Sequence, residues 1–148
     1  MPGHRAVSPV QMYHVMDRGV KKYDVFLDSK DRYRFLDLLT RKVKENSLTI
    51  HAYCLMGNHY HLLVEEGGKP LSVVMQGIKT SYARIFNRRH GTVGHVFQGR
   101  FISEAISTEN DLMRCARYIH NNPVKAGITA RAEDYWWSSY RLYPRIPD

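Results

Sequence analysis

The sequence predicts an α+β fold, a ferredoxin-like sandwich in which helices pack on a mainly antiparallel central sheet. Three observations point there. Segments with the two-residue alternation of strands and segments with the three-to-four-residue spacing of helices follow one another in the order β-α-β-β-α-β-α. The connections are short, and the two central strands meet at Gly57-Asn58, a tight hairpin signal. No repeat, low-complexity run or linker divides the 148 residues. Residues 1–148 therefore read as one domain, with a core over about 13–128 and an aromatic tail over 129–148.

Each element has its own signal. "QMYHVMDRG" alternates into a first strand, and "DRGVKK" turns it. Asp28-Ser29 opens a helix through about Glu45, with Tyr33, Leu36, Leu39 and Val43 as its apolar stripe. "NSLTIHAYCLM" is rich in β-branched and aromatic types and reads as a second strand, with His59–Glu65 as the third. From Leu71 to about Arg89 the spacing is helical. Leu71, Val74, Met75, Ile78, Tyr82, Ile85 and Phe86 form the stripe, and Lys79, Arg84 and Arg88 fall largely outside it. "HVFQGRFISEAIS" reads as a fourth strand with a glycine suited to a bulge. Thr108, with Asp111 three residues on, caps a last helix to about Asn122, where Pro123 stops it. "AEDYWWSSYRLYP" reads as a short helix on the body, with Trp136, Trp137 and Tyr140 as core.

Composition excludes some classes and favours one. No apolar run approaches the ~18 residues of a membrane span, and "MPGHRAVSPV" lacks the apolar core of a secretory signal. Cys54 and Cys115 stand alone, without zinc or disulfide spacing, so the reading is cytoplasmic. The chain carries a formal charge of +8, and from Gly67 to Ser103 there is no Asp or Glu. That stretch holds Lys69, Lys79, Arg84, Arg88, Arg89 and Arg100. Like charges gathered this way repel one another, and nucleic-acid phosphate offsets that cost more naturally than a membrane here.

In "YCLMGNHYHLLVE", His59 and His61 are two residues apart in a strand and so project to one side. That suits two nitrogen ligands on one cation, and it equally suits two packed or solvent-facing imidazoles. In "NDLMRCARYIHNNPVKAGI", Tyr118 and Asn122 are four apart on one helical face. Aimed at the histidines, they would add a phenol nucleophile and an amide oxygen ligand. Packed on Leu112, Cys115 and Ile119, Tyr118 would be core instead.

Taken in order, "YHVMDRG", "HAYCLMGNHYHLLVE", "FNRRHGTVGHVFQGRF" and "RYIHNNPVKAGI…WWSSY" closely resemble the single-tyrosine HUH transposases. These are the small transposases of certain insertion sequences and their relatives associated with repetitive extragenic palindromes (REP). The resemblance runs from about Tyr13 to Tyr140. It implies His59 and His61 as metal ligands, Asn122 as a third, amide-type ligand, and Tyr118 as nucleophile. Tyr60 departs from the usual aliphatic residue and should face away. His120 also departs and should point away from the Tyr118 face.

The implied activity is metal-dependent cleavage and rejoining of single-stranded DNA next to hairpins, with Mg²⁺ or Mn²⁺ as cofactor and a covalent 5′-phosphotyrosine intermediate. The alternative is a domesticated palindrome- or hairpin-binding protein that does not cut. A two-metal phosphoesterase would want further acidic and histidine ligands. Expected DNA contacts are Arg18, Lys21, Lys22, Lys79, Arg84, Arg88, Arg89 and Arg100, with His95, Phe97 and Gln98 placed to stack on or read unpaired bases. The resemblance also implies single-stranded or hairpin DNA as partner, no membrane, a monomer or homodimer, and action at the nucleoid.

Overall fold

A computed structural model describes residues 5–143; the predicted tail's last five residues, and 1–4, lie outside them. Strands β1 (Met12–Arg18), β2 (Leu48–Leu55), β3 (His59–Glu66) and β4 (Ile102–Ile106) form one sheet in the order β2-β3-β1-β4, with every neighbouring pair antiparallel. Helices α1 (Ser29–Lys44) and α2 (Leu71–His90) cover one face, and α3 (Glu109–Lys125) covers the other. This is the expected ferredoxin-like α+β sandwich.

Alternation along the strands sorts side chains into two cores. Tyr13, Val15, Tyr60, Leu62 and Val64 pack toward α1 and α2, with Phe35, Met75, Ile78 and Tyr82. Met12, Ala52, Cys54, Leu63 and Ile106 pack toward α3, with Cys115, Ala116 and Ile119. The β2–β3 hairpin closes where Met56 N–H donates to His59 O at 2.9 Å. Asp28 caps α1 and Thr108 caps α3, each accepting from the backbone N–H three residues on at 3.1 Å.

The structure corrects six sequence expectations. In α1, Leu39 is buried and Leu36 packs partly on the core as expected, but Tyr33 and Val43 are exposed, and Phe35 and Leu38 complete the buried stripe. Residues 95–101 are not strand. Gly19 and Phe97 form an isolated bridge there, and pairing with β1 begins only at Ile102. Lys79 is buried at 8% exposure rather than lying outside the stripe.

Helix α3 runs through Pro123 to Lys125, because Ala126, Gly127 and Ile128 N–H groups find the carbonyls of Asn122, Val124 and Pro123. The proline removes one donor without ending the helix. The tail forms two short 3₁₀ turns, Ala132–Asp134 and Tyr140–Leu142, rather than a helix. Its middle lies along β2: Leu55 N–H donates to Trp137 O at 2.8 Å, and Ser139 N–H to Tyr53 O at 3.0 Å. That covers a sheet edge which would otherwise offer free backbone groups. Of the three tail aromatics expected in the core, Trp137 packs partly into it, whereas Trp136 and Tyr140 are exposed.

Candidate active site

His59 and His61 leave β3 toward α3, while Tyr60 between them points the other way and is wholly buried against Phe35 and Phe97. Facing them, α3 presents Tyr118 and, one turn on, Asn122. The Tyr118 ring stands edge-on to His61, with centroids 5.6 Å apart, and is 46% exposed. Its ring therefore borders both the histidines and solvent, which the packed-core reading of this residue does not allow. Lys125 Nζ lies 5.7 Å from the same ring's centroid. His120 points away from this face, buried, with Nε2 2.7 Å from Ser139 Oγ.

The polar contacts of His59 constrain its protons. Nδ1 lies 2.7 Å from Asn58 Oδ1 and Nε2 lies 3.3 Å from Asn122 Oδ1. A neutral imidazole carries one N–H and cannot donate to both oxygens. Burial lowers the His59 pKa below its ordinary value, against a smaller opposing effect of the Asn122 contact. With the proton on Nδ1, a nitrogen lone pair and an amide oxygen converge at 3.3 Å, an arrangement a cation satisfies. His61 is 2% exposed, and burial, with His14 and His59 adding to it, pushes its pKa down to about 3. Burial thus favours the neutral form of both imidazoles, the form that metal ligation would require. Among the described residues no group of three or more His, Cys, Asp or Glu is placed to hold a metal ion.

Sequence reasoning missed His14. It stacks on His61 with centroids 5.2 Å apart, its Nε2 2.9 Å from His61 Nδ1, and its ring edge-on to Tyr118 at 5.7 Å. Alternation in "YHVMD" does place His14 opposite Tyr13 and Val15, but which strand lies beside it is set by tertiary pairing. A cavity of about 670 Å³ adjoins this group, walled by His14, Met16, His61, Ile102, Arg114 and Tyr118, among others.

The expected DNA-contacting residues separate into three sets. Arg18, Gln98 and Arg100 share a cleft at the end of β1, beside Met16 and Ile102, which also line the cavity at Tyr118. Arg18 Nε donates to Gln98 Oε1 at 2.6 Å. Lys21 and Lys22 are exposed in the following turn, both with left-handed backbone (φ 53° and 62°), and His95 is also exposed.

Arg84 and Arg88 form the second set, exposed on α2. With Arg34 and Arg41 of α1 they line a groove of about 530 Å³ on the sheet face away from Tyr118. Arg34 and Arg41 lie outside the acid-free stretch and were not anticipated.

In the third set the charges are paired within the protein, although Arg89 is itself exposed and also lines that groove. Lys79 Nζ lies 2.8 Å from Asp17 Oδ2 and also donates to Gly99 O. Arg89 forks onto Asp28 and Asp31, tying the start of α1 to the end of α2. Phe97 is 6% exposed in the core and offers no face to a base.

Comparison with known proteins bears on the family and the fold. Residues 8–122 match the family model described as "Transposase IS200 like". A Haemophilus influenzae (strain Rd) protein named as a REP-associated tyrosine transposase is 28% identical over 100 residues, 60% of this chain and 57% of that protein. The chain thus matches little more than half the length of that relative. Among solved structures, a REP-associated tyrosine transposase bound to a REP hairpin superposes over all of this chain and 92% of its own, with a TM-score of 0.79 at 19% identity. A chain from Deinococcus radiodurans R1 assigned as a transposase covers 82% of this chain and 97% of its own, with a TM-score of 0.54 at 18% identity. These two likenesses establish the shared fold, and the family match over most of the sequence establishes kinship: the chain belongs to the IS200-like transposase family.

Proposed function

We propose that this chain is a single-tyrosine HUH transposase that cuts and rejoins single-stranded DNA next to hairpins through a covalent 5′-phosphotyrosine. The observation that carries the reading is the meeting of Tyr118 with His61, and of Asn122 with His59, across the α3 face of the sheet. A pure DNA binder needs neither neutral converging ligands nor a half-exposed phenol beside them.

His59, His61 and Asn122 would hold a divalent ion, Mg²⁺ or Mn²⁺, which supplies electrostatic stabilisation to the phosphate under attack. Tyr118 Oη attacks phosphorus in line. The O–P bond to tyrosine forms as the bond to the 3′-oxygen breaks; the phenol proton passes to solvent on the ring's exposed side, and the departing 3′-oxygen takes a proton from solvent to become a 3′-OH. Phosphodiester energy stays in the link, so another strand's 3′-OH can reverse the step and free the tyrosine.

The solved relative bound to a REP hairpin supports hairpin DNA as the partner. Arg18, Gln98 and Arg100, next to the cavity, suit the strand being cut. The Arg34–Arg41–Arg84–Arg88 groove, on the far face, suits phosphates of a duplex stem. Lys79 and Arg89 are left out of this contact set, because their charges are engaged by Asp17, Asp28 and Asp31.

The test is incubation of labelled single-stranded DNA, drawn from palindromes flanking the gene, with the protein and Mn²⁺. A protein–DNA adduct that survives denaturing electrophoresis and is absent for Tyr118→Phe is the expected result. Specific binding without any adduct would replace the proposal with the non-cutting hairpin binder.

A further inference from the structure

We propose that His14 is a positioning residue: with the Glu104 carboxylate facing its Nδ1, it fixes the proton of His61 on Nδ1 and leaves His61 Nε2 as the ligand nitrogen. The inference rests on the metal-binding reading above and adds to it the device that prepares one ligand.

The placement follows from register. In the β1–β4 pair His14 lies directly opposite Glu104, and in the β1–β3 pair Met16 lies opposite His61, two residues along from His14. Residues two apart share a face, so His61, His14 and Glu104 form a row across three adjacent strands. The contacts follow that row. His61 Nδ1 is 2.9 Å from His14 Nε2, and His14 Nδ1 is 4.0 Å from Glu104 Oε2.

Two neutral imidazoles joined nitrogen to nitrogen share one proton, and two arrangements are open to them. In one, His14 donates from Nε2, leaving its Nδ1 lone pair toward the Glu104 carboxylate and the His61 proton on Nε2. In the other, His14 carries its proton on Nδ1, facing the carboxylate. Its Nε2 then accepts from His61 Nδ1–H. A carboxylate only accepts, so it favours the second arrangement. His61 Nε2 is then unprotonated on the side away from His14. The tautomer of a ligating histidine is commonly set in this way, by the partner of its other nitrogen. The device uses a second histidine between ligand and carboxylate, and its 76%-exposed Glu104 acts from the rim of the sheet.

Two measurements test it. In metal-free, ¹⁵N-labelled protein, long-range proton–nitrogen correlation spectra report which imidazole nitrogen carries the proton. The expected result is Nδ1–H for both His61 and His14; a His61 proton on Nε2 would overturn the proposal. Mn²⁺ affinity by calorimetry is the second. His14→Phe, which keeps a ring but accepts nothing, should weaken it by about 10–100-fold. His14→Gln, whose amide oxygen can accept the same proton, should recover part of the loss. Glu104→Gln, on the exposed edge and so harmless to folding, should weaken it less, in the same direction. Tight Mn²⁺ binding that is unchanged in His14→Phe would overturn the role of His14 and leave the metal reading standing. Wild-type protein that binds no Mn²⁺ would overturn both.

Discussion

Replacing Lys79 by methionine separates a structural charge from a DNA contact. The ammonium lies 2.8 Å from Asp17 Oδ2, and the two side chains are only 10% and 3% exposed. Removing one partner of a buried pair costs about 3–5 kcal/mol, because the other charge is left without compensation. Asp17 would keep the Arg18 N–H at 2.9 Å and the Tyr60 hydroxyl at 3.5 Å, which places the expectation near the lower end, about 3 kcal/mol. With a urea m-value of about 2 kcal/mol/M, the midpoint should fall by about 1.5 M.

The pH dependence has a definite sign. Burial already holds the Asp17 pKa above its ordinary value, against the opposing pull of Lys79. Without Lys79 it rises further, so the folded variant binds more protons than the unfolded chain. Its stability then drops as pH rises through that pKa, and the deficit against wild type shrinks on acidification. Asp17→Asn combined with Lys79→Met leaves no buried charge and should recover most of the loss. DNA binding should keep its salt slope, whereas a lost phosphate contact would lower the slope by about 0.7–0.9. A midpoint shift under about 0.5 M together with a slope reduced by about one would refute the structural assignment and return Lys79 to the DNA interface.

Other predictions follow from the same placements. Lys21→Gly with Lys22→Gly should raise stability by about 0.5–1 kcal/mol per site, since both residues occupy left-handed backbone that costs a side chain energy. The same pair should weaken DNA binding and flatten its salt dependence; a stability loss in thermal melts would contradict the strain argument. Arg84→Gln with Arg88→Gln should lower the salt slope for a blunt hairpin by about 1–2 and leave the unfolding midpoint within about 0.5 kcal/mol of wild type. An unchanged slope would remove the α1–α2 groove from the interface.

Much of the fold was legible because its signals are local. Period-two and helical spacing place all four strands and three helices, and the Gly57-Asn58 turn and two side-chain caps lie where the sequence implies, although the α1 stripe and the start of the fourth strand do not. What failed depends on distant partners. Lys79 looked like a surface cation because Asp17, 62 positions earlier in "VMDRG", gives no sign in sequence of turning inward (79 − 17). Phe97 looked available for stacking because nothing local says that residues 95–101 fold back over the core. Pro123 was read as a stop on a local rule that the carbonyl contacts beyond it override. In the site, the HxH spacing fixed His59 and His61 on one face, and helical spacing carried Tyr118 and Asn122. His14 depends on β1–β3 register, and the arginine groove depends on how α1 meets α2. Neither is written in any short stretch of sequence.

The most direct test of the central claim is the identity of the atom joined to DNA. Adduct formed with a cognate hairpin strand and Mn²⁺, digested with nuclease and trypsin, should yield the peptide from Tyr118 to Lys125, released after Arg117, carrying a residual nucleotide on Tyr118 through a 5′-phosphate. Tandem mass spectrometry that places the nucleotide on that phenol is the predicted result. A nucleotide on any other residue, or an adduct of equal yield from Tyr118→Phe, would contradict the account.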